Sequence, residues 1–316
     1  MLSIGGDESV NFKQLESFLW VAELQSFTKA ARQLFMSQPA VSFQIKALEE
    51  DLEVILFKRG DKKMVLTDAG QLLYQEARQM FRHYQKIKAG MDDLKGLKTG
   101  HLIVGAGTIP GEYLLPLLIG DFKKKYPGIQ ITLKVSGSGQ VERWVREREI
   151  DLGFTGVLAE SQDIECRPWL QDELSLIVPP AHPWVNLGAV KVSDLKSETM
   201  IFREKGSGTR RTIEEKLAEH NIVLEQIPQG IELGSSRAVI TAVEAGLGVS
   251  IVSKYAVRES LELGRVREVR IDDFDFNRYL YQIRHRQNMA GFAIDAFTDF
   301  VNKDEVCKVF DFKKTP

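Results

Sequence analysis

The chain has 316 residues, 43% of them hydrophobic, which is enough for two or three separate cores rather than one. Its 42 basic residues stand against 44 acidic ones, so the net charge of −2 gives no whole-chain attraction to nucleic acid, and any such binding must come from a local arrangement. No apolar run approaches the ~18 residues that span a bilayer, and MLSIGGDESV lacks a leader's basic flank and apolar core, so a cytoplasmic protein with no membrane partner is expected.

From Asn11 to Leu66 the apolar spacing is helical: Leu15, Phe18, Leu19 and Ala22 recur at three and four, as do Ala30, Ala31 and Leu34. Asn11 with Gln14 fits a capping box for the first helix. Ser26 can cap a second, Phe27 to Phe35, and Ser37 a third running to about Leu52. Helices separated by about three residues imply a helix-turn-helix. KRGDKKMVLT then places basic residues around a Gly-Asp turn before a short strand from Met64 to Leu66, the pattern of a β-hairpin wing.

Thr67 can cap a helix running to about Leu94. Leu73, Ala77, Met80, Tyr84, Ile87, Met91 and Leu94 are spaced 4, 3, 4, 3, 4 and 3, a heptad seam. Such a seam either packs on its own domain or meets a second copy, and its regularity favours a homodimer. Gly96 and Gly100 then end the helix and form a hinge.

From His101 the pattern alternates strand and helix. LIVGA, IQITLKVS and DLGFTG read as strands around the helices GEYLLPLLIGDFKKKY and QVERWVRERE, and a second series runs from LSLIVPP to VREVRI. This predicts mainly parallel sheets faced by helices and, over about 215 residues, two α/β lobes. The strand NRYLYQIRHR and helix FAIDAFTDFVN return to the first lobe. The expected domains are 11–66, a linker helix 67–97, and 101–316, with lobe one at about 101–173 and 278–316 and lobe two at about 174–277.

On a wheel of 100° per residue, Val41, Ile45, Leu48 and Leu52 of the third helix share one arc and face a core. Pro39, Ser42, Phe43 and Lys46 fall opposite, with Ser37 and Gln38 at the free N-terminal N–H groups. A major-groove helix needs such a face, and a solvated face with one stray aromatic reads equally well from this segment alone. Lys29 and Arg32 on the preceding helix, and Lys58, Arg59, Lys62 and Lys63 around the wing, could meet phosphates. Between residues 11 and 65 there are eight basic and seven acidic residues, a net of +1, so the charge is polarised rather than large.

SFTKAA, the Ser-Gln-Pro-Ala-Val-Ser run, IKALEEDL, LFKR and LTDAG occur in an order and spacing similar to the DNA-binding domain of the LysR-type transcriptional regulators. The resemblance implies a multidomain α+β protein: a winged helix-turn-helix, a linker helix and a two-lobed α/β periplasmic-binding-like domain. It implies double-stranded promoter or operator DNA as partner, a small effector between the lobes, and a homodimer or homotetramer. It also adds Ser26 and Thr28 of SFTKAA to the DNA-contacting set. Two departures stand out: Glu53 where many members have glycine, and Phe43 where a basic or polar residue is common. GTIPGEYLLP is similar to regulators associated with sulfur, cysteine or selenium metabolism.

The same cleft follows from local chemistry. Gly105, Gly107, Thr108 and Ile109 lie between the first strand and a helix starting near Gly111, Ser136 and Ser138 follow the next strand, and Thr155 ends the third. GSGTRR gives the second lobe an equivalent loop with Ser207, Thr209 and Arg210. Any one of these hydroxyls could simply cap a helix, but together they lie where open α/β sheets bind ligands. Without a strong cationic cluster they suggest a small anion or carboxylate. GAGTIPG lacks GxGxxG spacing, GSGTRR lacks a P-loop lysine, and His83, His101, His182, His220 and His285 show no metal spacing. Cys166 and Cys307 form no CxxC pair and read as two buried thiols. No cofactor and no enzymatic activity are expected. The alternative is an α/β small-molecule-binding protein or enzyme with an unrelated helical appendage.

Overall fold

The computed structural model of the chain describes residues 11–59, 63–94, 99–273, 275–287 and 291–303. It divides into two compact units, Met1–Lys88 and Ala89–Pro316.

The first unit opens with α1 (Phe12–Leu24), α2 (Phe27–Gln33) and α3 (Gln38–Asp51). Asn11 and Gln14 form the reciprocal capping box, and the Ser26 and Ser37 side chains accept from the Lys29 and Ala40 N–H groups. Phe18, Val21, Val41, Leu48 and Leu56 are fully buried where the three helices meet. The wing is the antiparallel pair β1 (Phe57–Arg59) and β2 (Met64–Leu66). The Gly-Asp turn and Lys62 lie outside the described residues, as does the Arg59 side chain. At the end of α3, Glu53 is left-handed (φ 53°), and the Glu53 and Val54 N–H groups bond to the Glu50 and Glu49 carbonyls. That is the turn glycine would make, so the Glu53 departure leaves its geometry unchanged.

The helix α4 (Asp68–Leu94) begins where Thr67 Oγ1 accepts from the Gly70 N–H at 3.0 Å. Its heptad seam divides. Ala77 is buried in this unit's own core and has no surface left for a second copy, and Leu73 is half-buried against the same core. Tyr84 is stacked at 5.2 Å on Phe12 yet about half exposed, and Met80, Ile87 and Met91 are exposed. The Leu94 side chain and Gly96 lie outside the described residues, and Gly100 opens the next strand at φ 148°.

The second unit begins with β3 (Gly100–Ala106), then α5 (Leu115–Lys125), β4 (Ile129–Val135), α6 (Ser138–Arg146), β5 (Leu152–Thr155), β6 (Ile164–Asp172), β7 (Leu174–Val178), α7 (Trp184–Leu187), β8 (Ala189–Val190) and β9 (Met200–Arg203). It continues with α8 (Gly208–Glu219), β10 (Gln229–Leu233), α9 (Ser236–Glu244), β11 (Ser250–Ser253), α10 (Lys254–Glu262), β12 (Arg267–Ile271), β13 (Arg278–His285) and α11 (Phe292–Val301). Lobe one is a five-stranded sheet in the order β4-β3-β5-β13-β6. On one face Leu118 and Phe122 of α5 pack with Phe297 and Val301 of α11, and on the other Val141 and Val145 of α6 pack against Ile283. Lobe two holds β11-β7-β12-β8 and the pair β10-β9, which meets β11's approach through a Met200–Val249 bridge.

The sheets are not mainly parallel. β3 pairs in parallel with β4 and β5, β9 with β10 and β8 with β12, but β13 runs antiparallel to β5 and β6, and β7 antiparallel to β11 and β12. The cause is the return of the chain between lobes: β6 leads into β7 and β12 into β13, so each lobe receives a strand whose direction no helical crossover sets. ECRPWLQD, passed over as a strand in the sequence, is all of β6 but its first residue. Cys166 on this edge strand is half-buried rather than buried, its thiol pushed up chiefly by desolvation. Cys307 lies outside the described residues.

Candidate functional site

In the first unit α3 presents the face the wheel gives it. Val41, Ile45 and Leu48 are buried, while Gln38, Pro39, Phe43 and Lys46 are exposed and Ser42 is half-buried. Gln38 Nε2 donates to Ser42 Oγ at 2.8 Å, and Lys46 lies 3.4 Å from Glu50. The inner side is pinned by a hydrogen bond from buried Ser17 to Gln44. Thr28, Lys29, Arg32, Lys58 and Lys63 are exposed, and the Ser26 hydroxyl accepts the Lys29 N–H at 3.3 Å.

The turn before α3 holds a residue the sequence reading passed over. Phe35 is 97% exposed and left-handed at φ 54°. The Phe35 and Met36 N–H groups close α2 onto the Arg32 and Ala31 carbonyls, a turn that favours glycine at Phe35. A bulky left-handed residue costs about 1–2 kcal/mol, and an exposed ring recovers little of it by burial. Phe35→Gly should therefore stabilise the unit by about 0.5–1 kcal/mol in a thermal melt. It should also weaken binding to double-stranded DNA. A melt without gain would mean that the ring is packed.

In the second unit two arginines bridge the lobes in opposite directions. Arg203, ending β9 in lobe two, donates from Nη2 to Thr108 Oγ1 at 3.1 Å, in the turn after β3 of lobe one. Ser236 (2.7 Å) and Glu204 (2.9 Å) hold the rest of its guanidinium. Arg278, opening β13, donates from Nη2 to Thr209 Oγ1 at 3.1 Å, in the first turn of α8. Its Nε donates to Asp172 Oδ2 at 2.8 Å, and Ser253 Oγ donates to Asp172 Oδ1 at 2.6 Å. Burial holds the Asp172 carboxyl above its ordinary value, opposed by Arg278 and Ser253. The third nitrogen, Arg278 Nη1, is buried without a protein acceptor.

Between these bridges lies a small cavity, roofed by the first turns of α6 and α8 and bounded by Gly107, Thr108, Ile109, Ser138, Gly156, Ser207 and Thr209. Bare backbone makes it possible. A Cβ on Gly137 would come within 2.8 Å of the Gly206 carbonyl oxygen, and one on Gly208 within 2.8 Å of Ser138 Oγ. Nearby, residues 110–114 form a π-helical turn leading into α5, a form common at functional sites. There burial pushes the Glu112 carboxyl up, against Arg203.

The cavity takes in Gly107, Thr108, Ile109, Ser138, Ser207 and Thr209, but not every residue singled out from the sequence. Thr155 does not line it, because its hydroxyl is spent on the Val157 carbonyl at 2.9 Å. Ser136 lies outside the lining, and its N–H extends the β3–β4 pairing to the Ala106 carbonyl. Arg210 lines an adjoining chamber instead, its guanidinium committed to Glu214, Glu232 and the Arg203 carbonyl. The cleft is also more cationic than its hydroxyls suggested, since Arg203 and Arg278 both line it. An arginine closing the apolar run MIFR was the one available signal.

A helix-turn-helix with a wing and a two-lobed α/β cleft, carried on one chain, define a transcription regulator of the ligand-responsive class. Two family models span nearly the whole chain: the bacterial regulatory helix-turn-helix protein, lysR family, over residues 12–71, and the LysR substrate binding domain over residues 95–304. The chain belongs to the LysR family of transcriptional regulators. It is 36% identical to the probable RuBisCO transcriptional regulator of Porphyra purpurea, over 90% of this chain and 91% of that protein. The sulfur, cysteine or selenium association read from GTIPGEYLLP is not the one this relative carries. Full-length CbnR, solved with its target DNA complex, shares the fold at a TM-score of 0.70 and 23% identity, over 92% of this chain and 98% of that one. The regulatory domain of Synechocystis PCC6803 CcmR in complex with 2-PG matches at a TM-score of 0.60 and 28% identity, over 65% of this chain and 99% of that one.

Proposed function

We propose that the protein regulates genes of carbon fixation, acting in the cytoplasm as a homodimer or homotetramer on promoter or operator DNA. Residues 11–66 hold the DNA, 67–97 link copies through the exposed end of α4, and the lobes of 101–316 take a small anionic effector. The observation that carries this reading is the outward face of α3, where Gln38, Pro39, Phe43 and Lys46 stand clear of the core. Such a face fits base edges, with the α3 N-terminus at a phosphate. The effector side rests on Arg203 and Arg278, which both line the cavity between the lobes. The choice of genes follows the Porphyra purpurea relative, and the small effector follows the CcmR regulatory domain, solved in complex with 2-PG.

The test is fluorescence anisotropy with the full-length protein on DNA upstream of its own gene and of neighbouring carbon-fixation genes, over a salt series. Affinity should fall with rising salt, and the specific site should bind about 10³-fold or more tighter than scrambled DNA. Phe43 is 73% exposed, and its ring can pack on a thymine methyl. Phe43→Ala should therefore lose about 1–3 kcal/mol of discrimination at one T position while binding scrambled DNA unchanged. Equal affinity for scrambled and promoter DNA in the parent would overturn the reading.

A further inference from the structure

Away from the cleft, one acidic side chain makes contacts that its place in a helix does not account for. α3 ends in Glu49, Glu50 and Asp51, although carboxylates in a last turn face the negative end of the helix dipole. Glu50 lies 3.4 Å from Lys46 one turn back, and Asp51 is exposed. Glu49 behaves differently. It is half-buried, and its Oε1 accepts two successive backbone N–H groups beyond the helix, from Leu56 at 2.7 Å and Phe57 at 3.3 Å. Neighbouring N–H groups aimed at one carboxylate oxygen make an anion-binding pair, so a charge unfavourable to α3 is compensated by the chain that follows it.

Those two N–H groups are where the wing begins. Phe57 opens β1 opposite Leu66, its ring is buried against Phe18 and Phe27, and the exposed Lys58 comes next. The Leu56 carbonyl accepts the Thr67 N–H at 3.0 Å. Leu56 is thus held from α3 through its N–H and from the start of α4 through its carbonyl.

We propose that Glu49 is a positioning residue for DNA binding: its carboxylate sets β1 against α3, so that the wing's lysines reach phosphates of the duplex whose groove α3 enters. This rests on the reading of α3 and the wing as the DNA-binding surface. The two possible roles of the charge differ in sign. As a negative charge beside a polyanion Glu49 would oppose binding, and its removal would tighten the complex. As the anchor of the wing it promotes binding, and its removal weakens the complex.

The test is fluorescence anisotropy of the full-length protein on promoter and scrambled DNA over a salt series, with a thermal melt of each variant. Glu49→Ala should weaken both DNAs by the same factor, about 10-fold, and reduce the slope of log affinity against log salt by about 1–2 as wing phosphate contacts are lost. Glu49→Gln removes the same charge but keeps an acceptor oxygen, and should stay within about 3-fold of the parent. Asp51→Ala, which removes an exposed charge from the same helix end, should bind no more weakly than the parent. Lys58→Ala should weaken the parent severalfold yet add little to Glu49→Ala, because the wing is already displaced. Should Glu49→Ala not fold, Glu49→Asp carries the same comparison, keeping the charge but falling one methylene short of the two N–H groups. Glu49→Ala binding as tightly as the parent, Glu49→Gln as weak as Glu49→Ala, or a Lys58→Ala loss that is absent from the parent or undiminished in Glu49→Ala overturns the positioning role. A parent that binds promoter and scrambled DNA equally overturns instead the DNA-binding reading beneath it.

Discussion

Arg278→Met is expected to destabilise the second unit by about 3–5 kcal/mol, because it leaves the fully buried Asp172 carboxylate without its cation. The two residues are directly opposite on β6 and β13, at the point where both strands leave lobe one for lobe two. Losing the pair therefore also removes the Arg278–Thr209 bridge between lobes. Urea unfolding followed by tryptophan fluorescence reads this unit, which holds Trp144, Trp169 and Trp184 of the four tryptophans. The pH dependence has a definite sign. Burial already holds the Asp172 carboxyl above its ordinary value, and removing Arg278 takes away the main influence pulling it down. The folded variant then holds its proton to higher pH than the unfolded chain does. Its deficit is smallest below about pH 4, where the carboxyl is neutral in both states, and widens as pH rises towards the folded value. Asp172→Asn combined with Arg278→Met should recover most of the loss, since no unpaired charge stays buried. If the double variant is as unstable as Arg278→Met, packing of the arginine stem is responsible instead.

How much of this the sequence announces depends on whether the cause is local. Val41, Ile45 and Leu48 are legible because burial on a helix repeats every 3.6 residues, and Asn11 and Ser37 because capping needs only the next turn. Ser138, Ser207 and Thr209 could be placed at the cleft because strand ends converge there, whatever the pairing direction. Thr155 could not be excluded, since a hydroxyl at a strand end can equally turn back to its own backbone. Arg203 and Arg278 stand 75 positions apart, and beyond the arginine that closes the apolar run MIFR nothing local marks either as a bridge to the opposite lobe. The antiparallel β13 was hidden for a related reason: NRYLYQIRHR reads as a strand, but its direction is fixed by the crossing from lobe two. The seam in α4 misled because a heptad pattern does not say which apolar surface covers it. For Ala77 that surface is the unit's own core.

Two glycines on α4 should respond with opposite signs to the same change. A Cβ on Gly70 would overlap the Leu56 carbonyl oxygen and lie 3.0 Å from Leu66 Cδ2, whereas one on Gly90 meets nothing within 4 Å. The Leu56 carbonyl cannot retreat. It accepts the Thr67 N–H at 3.0 Å, the Thr67 hydroxyl donates to the Ile55 carbonyl at 2.7 Å, and Glu49 on α3 accepts the Leu56 N–H at 2.7 Å. Gly70 is thus where α4 docks on the segment that joins α3 to the wing. That contact is what the last letter of LTDAG encodes. Gly70→Ala should cost about 1–3 kcal/mol through overpacking, read from Trp20 fluorescence in the first unit. It should also weaken DNA binding, because the wing moves relative to α3. Gly90→Ala, by contrast, should stabilise the helix by up to about 1 kcal/mol through propensity alone. Equal effects of the two would mean that the Leu56 contact is slack, and α4 would then not fix the wing.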